Sequence, residues 1–514
     1  MRADSLPGGQ PPGRGPSIFL CRARIMQPPR NTSRREFCRR SGLLAAALPL
    51  CSPTHLAAAA SIAGAHDMPA WTSPNPALTR AFAPVFDERD DQDLAVDGEI
   101  PAGLRGAYMR NGPNPRFEPD AHYSYPFDGT GMVHAIHLAD GKARYRNRWV
   151  MTTELAKEIA AGRRIYNSTF APAPHANLAN TNVVRHAGRY LALYEGGQPY
   201  EVDAELATLG RYDYDGKLQG PMSAHPKIDP HTGELLSIQY DLESGALLYL
   251  RVGRDGVPDR RVPLQAPWPA MIHDIALTEN HVIAFVCPLV FDLGPAGPPA
   301  TWQPERGTRI ALVPRDARTA ADVRWLDGPP FFNWHTVNAW ERDGRIEVAM
   351  PWYDAFSLGP QPRRLELHRI VIDLSSGVVR DETIDTRACE FGRVNDAYLG
   401  RPTRYGYVGL REPRPGWTPQ AGTFEAIARY DLASGAKDVH RFAAGSTVGE
   451  PVFVPAPGAT DEDDGYVFTF VHEEGQAQGA FHILDARNLA DAPLAVVHLP
   501  RRVPVGLHGS WMSG

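Results

Sequence analysis

Leu235-Leu-Ser-Ile-Gln-Tyr-Asp-Leu-Glu-Ser-Gly-Ala-Leu-Leu-Tyr-Leu-Arg-Val252 reads as two strands and the turn that joins them. Leu235–Tyr240 and Leu247–Val252 are β-rich, and Asp241-Leu-Glu-Ser-Gly245 between them is a turn. The Asp carboxylate caps such a turn, and the Gly supplies the positive φ at its end. The same word returns as Asp229-Pro-His-Thr-Gly233, Asp373-Leu-Ser-Ser-Gly377 and Asp431-Leu-Ala-Ser-Gly435. Arg345–Ala349 and His368–Asp373 are further strand-like segments beside these words. From about Asp87 onward the chain therefore reads as successive hairpins. Long helical periodicity is scarce; Val150–Ala161 is the best helix candidate, with Phe424–Tyr430 as a second. Many hairpins without a strict repeat suit an all-β propeller or sandwich. Length favours the propeller, since six to eight blades of about 40–50 residues would use most of the body. The proline-rich Gly294-Pro-Ala-Gly-Pro-Pro299 reads as a loop insertion.

The 514 residues are 43% hydrophobic and 22% charged, the composition of a soluble globular protein. Residues 1–65 differ from the rest. They hold nine Arg, no Lys and only Asp4 and Glu36 as acids, so the chain's net −6 leaves the remainder at −13. An acidic body argues against nucleic acid as a partner. Arg34-Arg35 within Ser33-Arg-Arg-Glu-Phe37, the apolar Gly42–Leu50 and the Ala-rich Ala57–Ala65 follow the order of an export signal. The pair resembles a twin-arginine signal, which implies a periplasmic location. Met1 and Met26 are both candidate starts. Cys51 follows Leu48-Pro49-Leu50, a poor lipoprotein box. The expected organisation is a leader over residues 1–65 and a single β-propeller domain over residues 66–514.

Cys21, Cys38 and Cys51 lie in the leader, which leaves Cys287 and Cys389 in the body. These two can pair in an oxidising compartment, but the apolar run around Cys287 favours two buried free thiols. Without a CxxC word, a zinc–thiolate site is not expected.

Four of the histidines stand in distinctive settings: His225 in Met222-Ser-Ala-His-Pro-Lys-Ile-Asp229, His273 in Met271-Ile-His-Asp-Ile-Ala-Leu277, His335 in Phe331-Phe-Asn-Trp-His-Thr-Val-Asn338, and His508 in Val505-Gly-Leu-His-Gly-Ser-Trp511. They are 48, 62 and 173 residues apart, too far for a local metal motif. They can meet if each comes from a different blade near a propeller axis.

These segments, with Gly103–Pro115, Phe127-Asp-Gly-Thr-Gly-Met-Val-His134 and Ala179-Asn-Thr-Asn-Val183, resemble the carotenoid cleavage oxygenase family from about Gly98 to Trp511. The resemblance implies a seven-bladed propeller with one Fe(II) per chain, held by His225, His273, His335 and His508. Neutral imidazoles suit such an ion. It also implies that Glu195, Glu390 and Glu450 orient three of the ligands, since a carboxylate on the far ring N–H fixes the tautomer. At Glu390 the family usually continues Phe-Pro-Arg, whereas this chain has Phe391-Gly392-Arg393. The implied reaction cleaves a conjugated C=C of a carotenoid or apocarotenoid with O2. The substrate supplies the electrons, so no redox partner is required. Consistently, no Gly-x-Gly-x-x-Gly follows a strand, and the protein supplies shape and electrostatics.

An apolar conjugated substrate needs an aromatic tunnel. Phe127, Tyr166, Phe170, Tyr194, Phe331, Trp334, Trp352, Tyr353 and Phe356 are candidate liners, with ordinary propeller core as the competing reading of each aromatic. Pro288-Leu-Val-Phe-Asp-Leu-Gly294 is a candidate lip for peripheral membrane contact. The family also holds stilbene cleavers, whose pattern places a phenol-binding Lys where this chain has Tyr194, while Tyr166 resembles their partner tyrosine. Stilbene or phenylpropanoid cleavage thus stays as an alternative, as does a non-catalytic exported propeller that binds a partner. A calcium-dependent propeller hydrolase would need clustered Asp, Asn and Glu in place of four imidazoles.

Overall fold

Leu235–Tyr240 is buried along its whole length, and its two faces pack in opposite directions. Leu236, Ile238 and Tyr240 join a core with Val282 and Ile283, whereas Leu235 joins one with Val184 and Leu191. A strand with apolar contacts on both faces lies in a sheet stacked between two others, as in a propeller. The partner strand obeys the same period of two. Tyr249, opposite Ile238, faces one neighbour, and Val252, opposite Leu235, faces the other.

The structure is a computed structural model that describes residues 75–169, 171, 173–241, 244–291, 300–356, 364–412, 420 and 422–514. All fall within one compact unit, Gly64–Gly514. The leader with Arg34 and Arg35, the candidate liner Phe170 and residues 292–299, which hold the proline-rich loop, lie outside the described residues.

Seven antiparallel sheets form the blades of a β-propeller. Blades 2 to 6 are four-stranded and begin at Asn182–His186, Lys227–Ile228, Ala276–Leu277, Asn338–Arg342 and Cys389–Arg393; their strands are consecutive except in blade 4, where the separate hairpin Leu289–Phe291/Ala300–Trp302 intervenes between His281–Val286 and Thr308–Pro314. The other two blades interlock the ends of the described chain. Blade 1 consists of Gly106–Arg110, Met132–Ala139, Lys142–Trp149 and Asp90–Asp91, and the last strand, Gly509–Ser513, pairs with Gly106–Arg110. Blade 7 is Ser446–Val448 with Val452–Pro455, then Gly465–Glu473, Gly479–Asp485 and Ala495–His498, and it is completed by the early strand Val96–Gly98.

The turn words fold as expected. The amides of Gly233, Gly245, Gly377 and Gly435 donate to the carbonyls of Asp229, Asp241, Asp373 and Asp431 at 2.7–2.8 Å, and all four glycines have φ of 72–76°. The one α-helix among the described residues is Thr153–Ala161, with Thr152 accepting from the Leu155 amide and Gly162 left-handed at its end. The second helix expectation is corrected. Residues 426–431 form the strand Ala426–Asp431, paired with Tyr405–Leu410 and Lys437–Arg441. Alanine's helix preference yields there to burial between two strands. Cys287 and Cys389 are free and buried in separate cores. Of the candidate lip, Leu289–Phe291 pairs with Ala300–Trp302, and Leu289 is buried. Among the described residues no helix is long and apolar enough to cross a membrane.

Polar side chains at or next to the ends of the blades' strands tie adjacent blades. Asn111 Nδ2 donates to the Ala179 and Asn182 carbonyls, and Asn182 Nδ2 donates to the Ala224 carbonyl. Asp274 accepts from Thr336 N and Oγ1 at 2.8 and 2.9 Å. Asn338 Nδ2 donates to the Tyr398 and Arg401 carbonyls. Buried bonds of this kind leave an unsatisfied group when one partner is lost, which makes the ring specific as well as stable.

Blade 5 holds a buried charge cluster on its third strand, Leu365–Asp373. His368 Nδ1 lies 2.5 Å from Asp381 Oδ1 and Nε2 lies 2.9 Å from Glu366 Oε2, while the ring stacks on Trp352 at 4.4 Å and 5°. Burial pushes this imidazole's pKa down, but hydrogen bonds to Asp381 and Glu366 outweigh it, and the net shift is upward. A raised pKa in the folded state stabilises fully below the unfolded value of about 6.5 and is lost as pH climbs through the folded value. His368→Gln is therefore expected to cost roughly 2 kcal/mol at pH 6, the scale of hydrogen bonds to charged groups. The cost should shrink at pH 9. Equal losses in thermal melts at the two pH values would exclude a charged His368.

Candidate metal centre

Four loops deliver the imidazoles to the axis. His225 precedes the first strand of blade 3, His273 that of blade 4, and His335 that of blade 5. His508 precedes the closing strand Gly509–Ser513 of blade 1. Each enters just before an innermost strand, so the propeller's symmetry brings residues far apart in sequence to one point. One ligand atom from each of the four lies within 4.8 Å of the others. Ring centroids are 4.4 Å apart for His225–His273 and His225–His508, and 4.7 Å for His335–His508. His273 Nε2 and His335 Nε2 face each other at 3.2 Å.

Three of the rings have a carboxylate on the far nitrogen. His335 Nδ1 donates to Glu390 Oε2 at 2.5 Å, and His508 Nδ1 donates to Glu450 Oε1 at 3.0 Å. His273 Nδ1 sits against Glu195 Oε1. A proton held at Nδ1 leaves Nε2 with its lone pair turned to the shared centre. His225 has no such carboxylate, and its Nε2 is buried without a hydrogen-bond partner. Burial and the neighbouring imidazoles push the His225 pKa well below its ordinary value. A buried, neutral, unpartnered ring nitrogen beside three others is the donor set of a transition-metal site.

The carboxylates are themselves held. Glu450 Oε2 accepts from Gly509 N at 2.8 Å and from Arg393 Nη1 at 3.1 Å. Burial alone would raise the Glu450 pKa; Arg393 and His508 overcome it and bring it down to about 2. Glu390 Oε2 accepts from Phe391 N at 2.7 Å, and its Oε1 accepts from the Tyr353 hydroxyl at 3.1 Å. Its pKa is also lowered, since His335 and these donors outweigh desolvation. The Tyr240 hydroxyl donates to Glu195 Oε2. The His335 pKa is raised, because Glu390 outweighs its burial. The His508 pKa is lowered, because burial, with the neighbouring His335 and His273, prevails over Glu450. Charge at the centre is therefore unequal: Arg393 offsets Glu450 and Lys227 offsets Asp274 at 2.7 Å, while Glu195 and Glu390 face neutral phenols. Two unneutralised carboxylates match a dication among neutral imidazoles.

The departure at Gly392 has a local reason. The register shifts between Glu390 and Arg393, and Phe391 takes a left-handed φ of 58°. A Cβ on Gly392 would stand 2.7 Å from Val337 Cγ2 and 3.0 Å from Val337 Cα, so the bulge lies directly against the segment that carries His335. Bulges re-aim side chains in this way.

The candidate tunnel residues separate into two groups. Phe127 and Phe356 pack on Trp334 at 5.8 and 5.9 Å, and Trp334 meets the His273 ring edge-on at 4.8 Å. Phe332 completes this wall at 4.9 Å from both Trp334 and Phe356. Phe391 covers His335 at 5.6 Å and meets Phe424 at 5.9 Å. Tyr194 is adjacent to Glu195; burial prevails over a hydrogen bond with Thr169 and pushes its phenol up to about 12. The others are placed elsewhere. Phe331 is fully buried on Phe285 because it points opposite to Phe332. Trp352 stacks on His368, and Tyr353 on the other face of the strand is committed to Glu390. Tyr166 lines a small cavity of about 40 Å³ with Asp128, Glu158 and Arg164. Phe332, Phe391, Phe424 and Tyr240 were not among the sequence candidates. Adjacency to His335 and Glu390 was the available signal for Phe332 and Phe391.

Behind the imidazoles, along the first strands, runs a cavity of about 320 Å³ bordered by His225, His335, His508, Lys227, Asp274 and Arg393.

A propeller that gathers four imidazoles on its axis, three backed by carboxylates, defines a class of metal-site propellers. The family described as retinal pigment epithelial membrane protein matches residues 82–513. The chain is 36% identical over 500 residues to a carotenoid cleavage oxygenase of Mycobacterium tuberculosis, which covers 85% of this chain and 98% of that protein. It is similar to the crystal structure of Pseudomonas brassicacearum lignostilbene dioxygenase (TM-score 0.80, 32% identity, 86% of this chain and 99% of that one). It is also similar to the cobalt-substituted apocarotenoid oxygenase of Synechocystis (TM-score 0.77, 30% identity, 86% and 99%). The chain belongs to the carotenoid cleavage oxygenase family and is an oxygenase of that family.

Proposed function

We propose that this protein is an Fe(II)-dependent dioxygenase that splits a conjugated C=C of a carotenoid or apocarotenoid into two carbonyl products. The observation that carries the reading is the convergence of His225, His273, His335 and His508 beside an aromatic wall. Four neutral nitrogens and two unneutralised carboxylates suit a ferrous ion, which when bound supplies activation of O2 for the cleavage. The chain's own residues do the rest. Glu195, Glu390 and Glu450 hold the Nδ1 protons and aim the Nε2 atoms. Phe127, Phe332, Trp334 and Phe356 offer an apolar surface next to His273 on which a flat polyene can lie. This surface also excludes water from the reacting bond.

A polyene is preferred to a hydroxystilbene because a phenolic substrate calls for a cation at the wall. Tyr194 stands beside Glu195 and stays a neutral phenol. Lys227, at the edge of the centre, is engaged by Asp274. The similarity to a lignostilbene dioxygenase is the observation that favours the second reading, cleavage of a stilbene.

The test is anaerobic loading with Fe(II), then ¹⁸O2 with a panel of carotenoids, apocarotenals and 4-hydroxystilbenes, read by mass spectrometry. Expected are paired ¹⁸O-labelled carbonyl fragments from a polyene, dependent on Fe(II). Labelled aldehydes from stilbenes alone would move the substrate class. No carbonyl fragments from any substrate by an iron-loaded chain would sink the proposal.

A further inference from the structure

The carboxylates behind the imidazoles are not held alike, and the difference follows charge. Glu450 is held by a guanidinium and a backbone amide. Glu195 and Glu390 are each held by a tyrosine hydroxyl that reaches in from the second strand of a blade: Tyr240 ends Leu235–Tyr240 in blade 3, and Tyr353 ends Arg345–Tyr353 in blade 5. In both cases the phenol takes one carboxylate oxygen and the ligand imidazole takes the other. The two strands thus present the same device at equivalent places, in blades that share no sequence repeat there (Ile-Gln-Tyr240 against Pro-Trp-Tyr353).

We propose that Tyr240 and Tyr353 are positioning residues of the metal centre, which hold Glu195 and Glu390 in place through neutral donors so that both carboxylates keep their full charge for a bound dication. This rests on the reading of the four imidazoles as a metal site. Three physical points carry it. A carboxylate with one oxygen fixed cannot rotate away from the ring N–H, so the direction of His273 and His335 is set from two strands behind them. A lysine or arginine in place of either phenol would hold the carboxylate equally well but would cancel the charge that offsets the dication, as Arg393 does at Glu450. Finally, Tyr240 is buried and Tyr353 half-buried, and removing either hydroxyl leaves a carboxylate oxygen short of a donor.

The experiment uses the full chain, Co(II) as the probe, and three tyrosine-to-phenylalanine variants that keep the ring and lose the hydroxyl. Tyr240→Phe and Tyr353→Phe test the proposal. Tyr249→Phe is the matched control, since its buried hydroxyl donates to the Arg315 carbonyl at 2.8 Å, away from the imidazoles. Co(II) affinity and the visible ligand-field spectrum are measured for each, together with thermal unfolding of the metal-free chain. Tyr240→Phe and Tyr353→Phe are each expected to weaken Co(II) binding by about 10-fold, the low end for loss of an outer partner of a metal ligand, and to shift the ligand-field bands. Tyr249→Phe should leave both unchanged even where it lowers the unfolding temperature. If Tyr240→Phe and Tyr353→Phe bind Co(II) within twofold of the parent with the same bands, the proposal fails while the metal site stands. If they differ from the parent no more than the control does, it fails equally. If the parent chain itself binds no Co(II), the metal-site reading fails, and this proposal goes with it.

Discussion

His335→Ala abolishes stoichiometric metal binding and, with it, turnover. The ring supplies one of four converging nitrogens, and its Nδ1 anchors Glu390 at 2.5 Å. Removing an outer partner of a metal ligand typically costs 10–100-fold in affinity or activity. Removing the ligand itself is expected to exceed that, with iron content falling below about a tenth of the parent's and product formation at background. The fold should survive. Glu390 keeps the Phe391 amide and the Tyr353 hydroxyl, and blade 5 keeps its four-stranded sheet. Elemental analysis, product yield and a thermal melt on the same preparation read all three quantities. Glu390→Gln should fall in the milder 10–100-fold range, because the amide can still accept the Nδ1 proton but brings no charge. A His335→Ala chain that retained one metal per molecule, or that cleaved substrate at the parent's rate, would remove the four-imidazole centre and return the non-catalytic propeller to consideration.

Deleting Gly509–Gly514 prevents the ring from closing. Blade 1 then loses the strand paired from Gly106↔Ser513 to Arg110↔Gly509. The edge-on packing of Trp511 on Phe468 at 5.4 Å and the buried Met512 go with it. Two bonds at the metal centre also vanish, from the Gly509 amide to Glu450 and from Arg393 Nη1 to the Gly509 carbonyl. Burying a large apolar side chain is worth about 1.5–3 kcal/mol, and domain stability is only about 5–15 kcal/mol. Losing the buried Met512, the half-buried Trp511 and a ladder therefore removes a large share of it. The truncated chain is expected to be insoluble, or to lose its near-UV circular dichroism and cooperative melt. Cooperative unfolding near the parent's midpoint would show that the closing strand is dispensable. Trp511→Phe, which keeps the ladder, should cost far less.

Local words carry their own structure where local physics decides. An Asp-x-x-Ser/Thr-Gly turn closes through bonds within five residues, and each of the four forms as its residues dictate. The β-rich Leu235–Tyr240 and Leu247–Val252 need only their alternation and each other. The helix expected over Phe424–Tyr430 does not form, because the helix preference of Ala-Ile-Ala-Arg yields to pairing of Ala426–Asp431 with Tyr405–Leu410. The histidines were legible through the segments around them. Some of those family-like words turn out to be blade ties: Asp274 bonds Thr336, and Asn338 bonds the Tyr398 and Arg401 carbonyls.

Side-chain direction is not set by local sequence. Phe331 and Phe332 are equally aromatic neighbours, yet one fills the core on Phe285 and the other joins the wall beside Trp334. Trp352 and Tyr353 divide in the same way, toward His368 and toward Glu390. A period of two assigns opposite faces, but only the stacking of blades says which face meets the axis. Tyr240 lies 45 residues from Glu195 and Tyr353 lies 37 from Glu390, separations at which no local preference acts. The chain's residue order thus dictates strands, turns and the supply of imidazoles and carboxylates. The closed ring dictates which of them meet, because contacts between distant segments exist only after the strands have packed.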